Sequence, residues 1–220
     1  MSPGKSFEWG VPIDSNRVVL KTTICSLLTL AILVVKTVGL TEEPTGAITR
    51  LDGGAVLALL GAKMEQGLTK EQLSSYNRVF AFMDLDRDGR HSKVEFIDRG
   101  RYLTPFARRG IFNAADADQD GFVTRAEYLL NRIITDEAKS ILQAMDDNDD
   151  GIIQRDEFLR CTFPTVEDPE LARSAFKALD TNRDGELTTP EYLRVWGRWA
   201  RTGKLSAEER ITALEARLGE

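Results

Sequence analysis

Residues 84–95 read DLDRDGRHSKVE, twelve positions that hold four acids, two arginines, a lysine and the chain's only histidine. The pattern returns as DADQDGFVTRAE at 116–127, DDNDDGIIQRDE at 146–157 and DTNRDGELTTPE at 180–191. The starts lie 32, 30 and 34 residues apart, a spacing that marks a repeated supersecondary unit. Every copy has an acid or amide oxygen at positions 1, 3 and 5, glycine at 6 and glutamate at 12.

Short oxygen-bearing side chains at alternate positions of a tight loop converge on one point, which is the donor set of a hard dication. The candidate side-chain ligands are Asp84, Asp86, Asp88 and Glu95, then Asp116, Asp118, Asp120 and Glu127. The third and fourth copies offer Asp146, Asn148, Asp150 and Glu157, and Asp180, Asn182, Asp184 and Glu191. Position 7 contributes a backbone carbonyl, so Arg90, Phe122, Ile152 and Glu186 are free to differ in side chain. Glutamate at position 12 can bind with both oxygens and raise the coordination toward seven, which suits Ca²⁺ at about 2.4 Å better than octahedral Mg²⁺. Up to four calcium ions are expected. Without a metal, acids crowded in this way repel one another. The loops hold eighteen of the 35 acids, so the net charge of -6 is largely binding-site acidity, and four bound ions would bring it to about +2. A single D-x-D-x-D-G can be a solvated surface turn; four copies with a closing glutamate and helical flanks are not read that way.

The flanks agree. Val79-Phe80, Ile111-Phe112, Ile141-Leu142 and Ala175-Phe176 lie five and four places before the loops, and Met83, Ala115, Met145 and Leu179 immediately precede them. Phe96, Tyr128, Phe158 and Tyr192 follow the closing glutamates and read as core aromatics. Thr69 with Gln72, Thr104-Pro105 and Asp168-Pro169 are helix starts. Each unit is therefore expected to be helix, loop, helix.

At these four loops and their helices, roughly residues 68–199, the chain resembles the EF-hand superfamily of calcium-binding proteins. The resemblance implies an all-α fold of two helix–loop–helix pairs, joined in the calmodulin-like manner, first loop with second and third with fourth, through a short β-bridge at position 8. Val123, Ile153 and Leu187 fit the apolar residue expected there, and His91 does not. His91 is expected to be a tolerated, partly exposed side chain; the alternative is a proton-sensitive link between the first two loops. No Gly or Pro interrupts Arg125–Met145, so either one long helix joins two lobes or a bend near Thr135 draws them together. SAEERITALEARL, 206–218, begins with a capping box and carries Ile211, Leu214 and Leu218 on one face. This C-terminal helix is expected to cover the third and fourth units beside Trp196 and Trp199.

Upstream, TTICSLLTLAILVV, 22–35, is uncharged between Lys21 and Lys36. It is short for a span unless about 18–40 all contribute, and suits a signal-peptide core in length; a buried helix of the globular body is the other reading. The expected organisation is a leader with a signal or membrane-anchor segment over 1–45, a linker or short helix over 46–67, pairs over 68–134 and 135–202, and a terminal helix over 203–220. Location follows from the run: secretory or membrane-associated, with single-pass attachment, or cytoplasmic if the run is core.

The net negative charge and the lack of a basic run argue against nucleic acid as a partner. Two cysteines, Cys25 and Cys161, make no disulfide framework. Only His91 is available for a histidine-based or zinc catalytic centre, and it lies within an acidic loop, so an enzyme is not expected. Among binding proteins, four methionines in the whole chain are few for a sensor that opens an adaptable apolar groove to a protein partner. A buffer or a dedicated calcium-dependent interaction module is favoured, with the sensor as the alternative.

Overall fold

The computed structural model describes residues 52–100, 103–164, 169–203 and 205–219. The apolar run at 22–35, with the signal or anchor expected over about 18–40, lies outside them. No helix among the described residues is long and apolar enough to cross a membrane.

The described chain is almost wholly helical. Helix α1, Gly53–Leu59, starts where the Asp52 carboxylate accepts the Gly54 N–H at 3.0 Å. A 3-10 turn, Met64–Gly67, leads to α2, Lys70–Met83, which opens on the expected Thr69/Gln72 capping box. Strand β1, Arg90–Ser92, is followed by a π-helical turn, Val94–Asp98. Helix α3, Pro105–Ala115, begins with Thr104 accepting the Ala107 N–H at 3.2 Å and with proline in the first turn, where no donor is lost. Then come β2, Phe122–Thr124, and α4, Arg125–Gln143. The second half runs β3 Ile152–Gln154, α5 Arg155–Thr162, α6 Pro169–Leu179, β4 Glu186–Thr188 and α7 Thr189–Ala200. Helix α8, Ala207–Leu218, opens on the Ser206/Glu209 capping box and ends at Gly219, whose φ of 73° closes the helix in the left-handed region.

Strands β1 and β2 pair antiparallel with His91 opposite Val123, and β3 pairs with β4 with Ile153 opposite Leu187. These ribbons tie the acidic loops together two by two, first with second and third with fourth. Helix α4 is unbroken, with Thr135 Oγ1 bonding back to the Asn131 carbonyl at 2.8 Å. It packs against α2, α3, α7 and α8, so both pairs lie along one shared helix, and the boundary expected between 134 and 135 falls inside it. Tyr76 on α2 donates to Asp136 on α4 at 2.9 Å, and Arg132 pairs with the same carboxylate at 2.7 Å. Phe96, Tyr128, Phe158 and Tyr192 are buried, as the sequence indicates.

Three expectations need correction. First, the exit helix of the first unit is only the five-residue π-turn. Gly100 ends it, because a Cβ there would lie 2.8 Å from the Phe96 carbonyl oxygen, and Arg108 holds the turned chain through the Gly100 and Leu103 carbonyls. Second, His91 is fully buried, not partly exposed. Its ring stacks on Phe80 at 4.2 Å and meets Tyr128 edge-on at 5.4 Å. Its Nε2 lies 2.9 Å from the Phe80 carbonyl oxygen. An aromatic cage with one polar partner accepts imidazole where an aliphatic residue stands in the other three strands. Third, α8 packs chiefly along α4 and the 3-10 turn and meets the fourth unit at the end of α7, where Arg210 donates to the Ala200 carbonyl at 2.9 Å. Ion pairs fix that choice: Arg125 with Glu215 at 2.5 Å, and Arg210 with Glu65.

Helix α1 occupies a different place, against α7. A Cβ on Gly53 would sit 2.1 Å from Trp199 Cδ1, so only glycine permits this approach. Val56, Leu57 and Leu60 are buried there. The following turn is held by Glu137 of α4, which accepts the Lys63 N–H at 2.6 Å and the Met64 N–H at 2.9 Å.

Candidate metal centre

Each acidic loop is built the same way. The position-1 aspartate, at the end of its entering helix, reaches back to the glycine at position 6: Asp84 Oδ2 accepts the Gly89 N–H at 3.0 Å, Asp116 that of Gly121 at 3.2 Å, Asp146 that of Gly151 at 2.9 Å and Asp180 that of Gly185 at 3.0 Å. All four glycines have φ between 83° and 90°, a conformation in which a side chain is strained. Position 5 then accepts the position-7 N–H, from Asp88 to Arg90, Asp120 to Phe122, Asp150 to Ile152 and Asp184 to Glu186, at 2.8–3.0 Å. These bonds fold every loop into a cup with its side-chain oxygens turned inward.

One carboxylate oxygen from each of Asp84, Asp86 and Asp88 lies within 4.8 Å of the other two, and the same holds for Asp116, Asp118 and Asp120. In the third and fourth loops Asn148 and Asn182 take the middle place, each donating its amide to the aspartate two residues on, at 2.9 and 2.8 Å. The donor set is all oxygen, which matches a hard cation and not a thiolate or imidazole metal. Asp116 Oδ1 is buried with no protein donor at all, an unmet acceptor that a bound cation would satisfy.

The closing glutamates Glu95, Glu127, Glu157 and Glu191 are all buried. Glu127, Glu157 and Glu191 stand at the third position of their exit helices and Glu95 at the second of its π-turn, and each faces back into the loop. One oxygen takes the N–H of position 2: Leu85 at 2.9 Å, Ala117 at 2.7 Å, Asp147 at 2.9 Å and Thr181 at 2.8 Å. In the first three loops the other oxygen takes the N–H of position 9, Ser92 at 2.8 Å and Thr124 and Gln154 at 2.9 Å; in the fourth it meets only the Thr188 hydroxyl, at 3.5 Å. Burial pushes the Glu95 carboxyl up, but the donors of Ser92, Leu85 and Asp86 outweigh it and bring it down to about 2. Asp150 is likewise lowered, by the Ile152 N–H and then the Gln154 amide. Both remain ionised at neutral pH, the form that binds a cation.

Position 7 begins each strand, so the carbonyls of Arg90, Phe122, Ile152 and Glu186 belong to the β-ribbons. Two loop features were not read from sequence. Position 4 is left-handed in all four loops, at Arg87, Gln119, Asp149 and Arg183, with φ from 58° to 64°. Those residue types share no preference for that conformation, so composition carried no signal. Position 9 holds the closing glutamate, and its signal was present: Ser92, Thr124, Gln154 and Thr188 each lie three residues before a glutamate, the spacing of a capping box.

Helix α8 reaches the second loop. Thr124 Oγ1 donates to Glu127 at 2.9 Å and lies 3.3 Å from Glu208, while Arg125 pairs with Glu215.

A family model described as EF hand matches residues 109–129 and 172–196, and one described as EF-hand domain pair matches 130–164. These matches contain the second, third and fourth loops; residues 84–95 lie outside them. No curated protein matches the chain. Within residues 109–196 the chain is therefore similar to EF-hand domains, which supports the reading of these loops as calcium sites.

Proposed function

We propose that all four loops bind calcium, the first included, and that the chain is a calcium buffer or a calcium-dependent interaction module. The observation that carries this reading is the shared geometry: residues 84–95, outside the family matches, have the same Asp84-to-Gly89 bond, the same position-5-to-7 turn and the same buried closing glutamate as the other three. The ligands are the side chains at positions 1, 3, 5 and 12, from Asp84 through Glu191, with the carbonyls of Arg90, Phe122, Ile152 and Glu186. A bound ion supplies positive charge that cancels the mutual repulsion of these acids. The protein's part is to hold them ionised and converged through the loop N–H groups. No catalytic role is assigned to any residue.

The buffer or dedicated-module reading is favoured over a groove-opening sensor because α1 and α8 cover apolar faces of α7 and α4. Val56, Leu57 and Leu60 of the α1 segment are buried at α7, and Ala207, Ile211 and Leu214 of α8 at α4. A sensor would release such a face on binding calcium. The uncharged run at 22–35 supports delivery to a membrane or secretory compartment, where sites on the order of 10⁻⁴ to 10⁻³ M serve.

Flow dialysis tests the site count. The wild-type chain should take up four calcium ions, and Glu95→Gln, Glu127→Gln, Glu157→Gln or Glu191→Gln should each take up fewer at the same free calcium. A wild-type stoichiometry of three, unchanged by Glu95→Gln, would remove the first loop from the set. Binding of an apolar dye with and without calcium separates the two roles: a large calcium-dependent gain would establish the sensor.

A further inference from the structure

We infer that the end of α2, the first loop, its π-turn and the start of α3 form a docking face for an anionic lipid surface. The exposed large apolar residues of the described chain are concentrated there. Phe82, Leu85, Val94, Leu103 and Phe106 all fall between residues 82 and 106, against Phe163 and Leu205 elsewhere, and Phe106 is 89% exposed. The π-turn explains the concentration. A full exit helix would lie beside the loop as α4, α5 and α7 do, whereas this one stops at Asp98, and neither α1 nor α8 covers the gap.

Cations stand among these apolar side chains. Arg87, Lys93, Arg99 and Arg109 are exposed and have no acid partner among the described residues. The stretch 82–109 carries seven cations and five acids, a net +2 in a chain of -6, even with the acids of its loop counted in full. The π-turn stands between two hollows. One, of about 340 Å³, has Leu85 and Val94 beside Ser92, Arg99 and the loop acids Asp86 and Glu95, whose charge a bound calcium ion would offset; the other, of about 380 Å³, has Ile97 and Asp98 between Lys93 and Arg109.

This arrangement fits a lipid headgroup layer better than a protein helix. A helix-binding groove is a continuous apolar trough, whereas both hollows here are partly polar and the apolar side chains project outward. Exposed Phe and Leu with exposed Lys and Arg in the same segment are what an interfacial site needs: the apolar groups enter the acyl boundary while the cations meet the phosphates. The inference does not depend on the apolar run at 22–35, which would partition into neutral and anionic bilayers alike.

The test is co-sedimentation of the full chain, in calcium, with vesicles of phosphatidylcholine alone or with added phosphatidylserine, at low and high salt. Binding should be stronger with phosphatidylserine, and salt should reduce the difference. Lys93→Gln/Arg109→Gln should weaken phosphatidylserine binding about 30-fold, at roughly fivefold per charge. Phe106→Ser and Arg99→Gln, also at exposed positions, should each weaken it as well. Amide exchange over 93–109 should slow with phosphatidylserine vesicles and not with phosphatidylcholine alone. Exchange over 93–109 that phosphatidylserine vesicles leave unchanged or that phosphatidylcholine slows equally, or a phosphatidylserine-dependent gain in binding indifferent to these substitutions, would overturn the inference. So would concentration-dependent self-association that Phe106→Ser abolishes while lipid binding is unaffected, since the face would then be an interface between copies. Calcium stoichiometry measured on the same samples keeps a failure here distinct from a failure of the loop assignments.

Discussion

Replacing Glu137 tests how the body keeps its apolar faces covered. In the native fold Oε1 accepts the Lys63 N–H at 2.6 Å, and the two oxygens take the Met64 N–H at 2.9 and 3.0 Å. Met64 has φ of 52°, a left-handed conformation for a non-glycine residue that costs about 1 kcal/mol and persists because the carboxylate holds it. Hydrogen bonds to a charged acceptor contribute roughly 1.5–3 kcal/mol. The Lys63 N–H is exposed, so water replaces most of its bond; the Met64 N–H is part-buried and bears the loss. Glu137→Ala should therefore destabilise the protein by about 2 kcal/mol, and Glu137→Gln, which keeps one acceptor, by about half as much. For a body of this size that is a fall in Tm of roughly 4–8 °C for the alanine variant. Helix α1, tied to α4 through this turn, should loosen from α7, so apolar-dye binding should rise in calcium as in chelator. Differential scanning calorimetry and dye fluorescence read both effects. A Tm within 1 °C of wild type, at about 2–4 °C per kcal/mol, with no dye gain would refute the assignment of Glu137 as the clasp of the N-terminal segment.

Further outcomes follow from the same packing. Gly53→Ala should shift the intrinsic tryptophan fluorescence and lower stability by roughly 1–3 kcal/mol, because the new Cβ would overlap the Trp199 ring; an unshifted spectrum would mean that α1 does not approach it. Burial, then the charge and hydrogen bond of Asp136, raise the Tyr76 phenol above its ordinary value. A group raised in the folded state stabilises it fully below the unfolded pKa of about 10 and loses that contribution as pH climbs through the folded value. Alkaline titration should thus show Tyr76 ionising together with unfolding, and Tyr76→Phe should flatten the decline of stability above pH 10; phenolate absorbance well before unfolding would contradict this. Ile211→Ala, at a residue 2% exposed, should cost about 3 kcal/mol and expose the α4 face to dye; no change would argue that α8 is not a cover.

The loops were legible because their chemistry needs particular residue types at fixed spacing. Asp at position 1 and Gly at position 6 are linked by one hydrogen bond, and only glycine adopts that φ without strain, so the constraint is written in the letters. Helix starts were legible for a similar reason: Thr69, Thr104 and Ser206 cap where their side chains meet the backbone three residues on. What escaped was set by tertiary contact. The burial of His91 depends on Phe80, Phe96 and Tyr128 converging from three segments, which no local pattern shows. The place of α8 depends on Arg125 and Arg210 finding Glu215 and Glu65, pairings 90 and 145 residues apart in the chain. The short exit turn of the first unit was half-visible, since Gly100 was a recognisable break, but the carbonyl-to-Arg108 bonds that turn the chain there were not.

The central claim, that each acidic loop closes on one calcium ion, is tested most directly by the backbone amides of Gly89, Gly121, Gly151 and Gly185. Each donates to the position-1 aspartate, so polarisation of that carboxylate by a bound cation must reach the glycine N–H. In a ¹⁵N-correlated NMR titration of the full chain, all four glycine resonances should move downfield and the movement should end at four equivalents of calcium. If none of the four moves at millimolar calcium, the loops are not calcium sites.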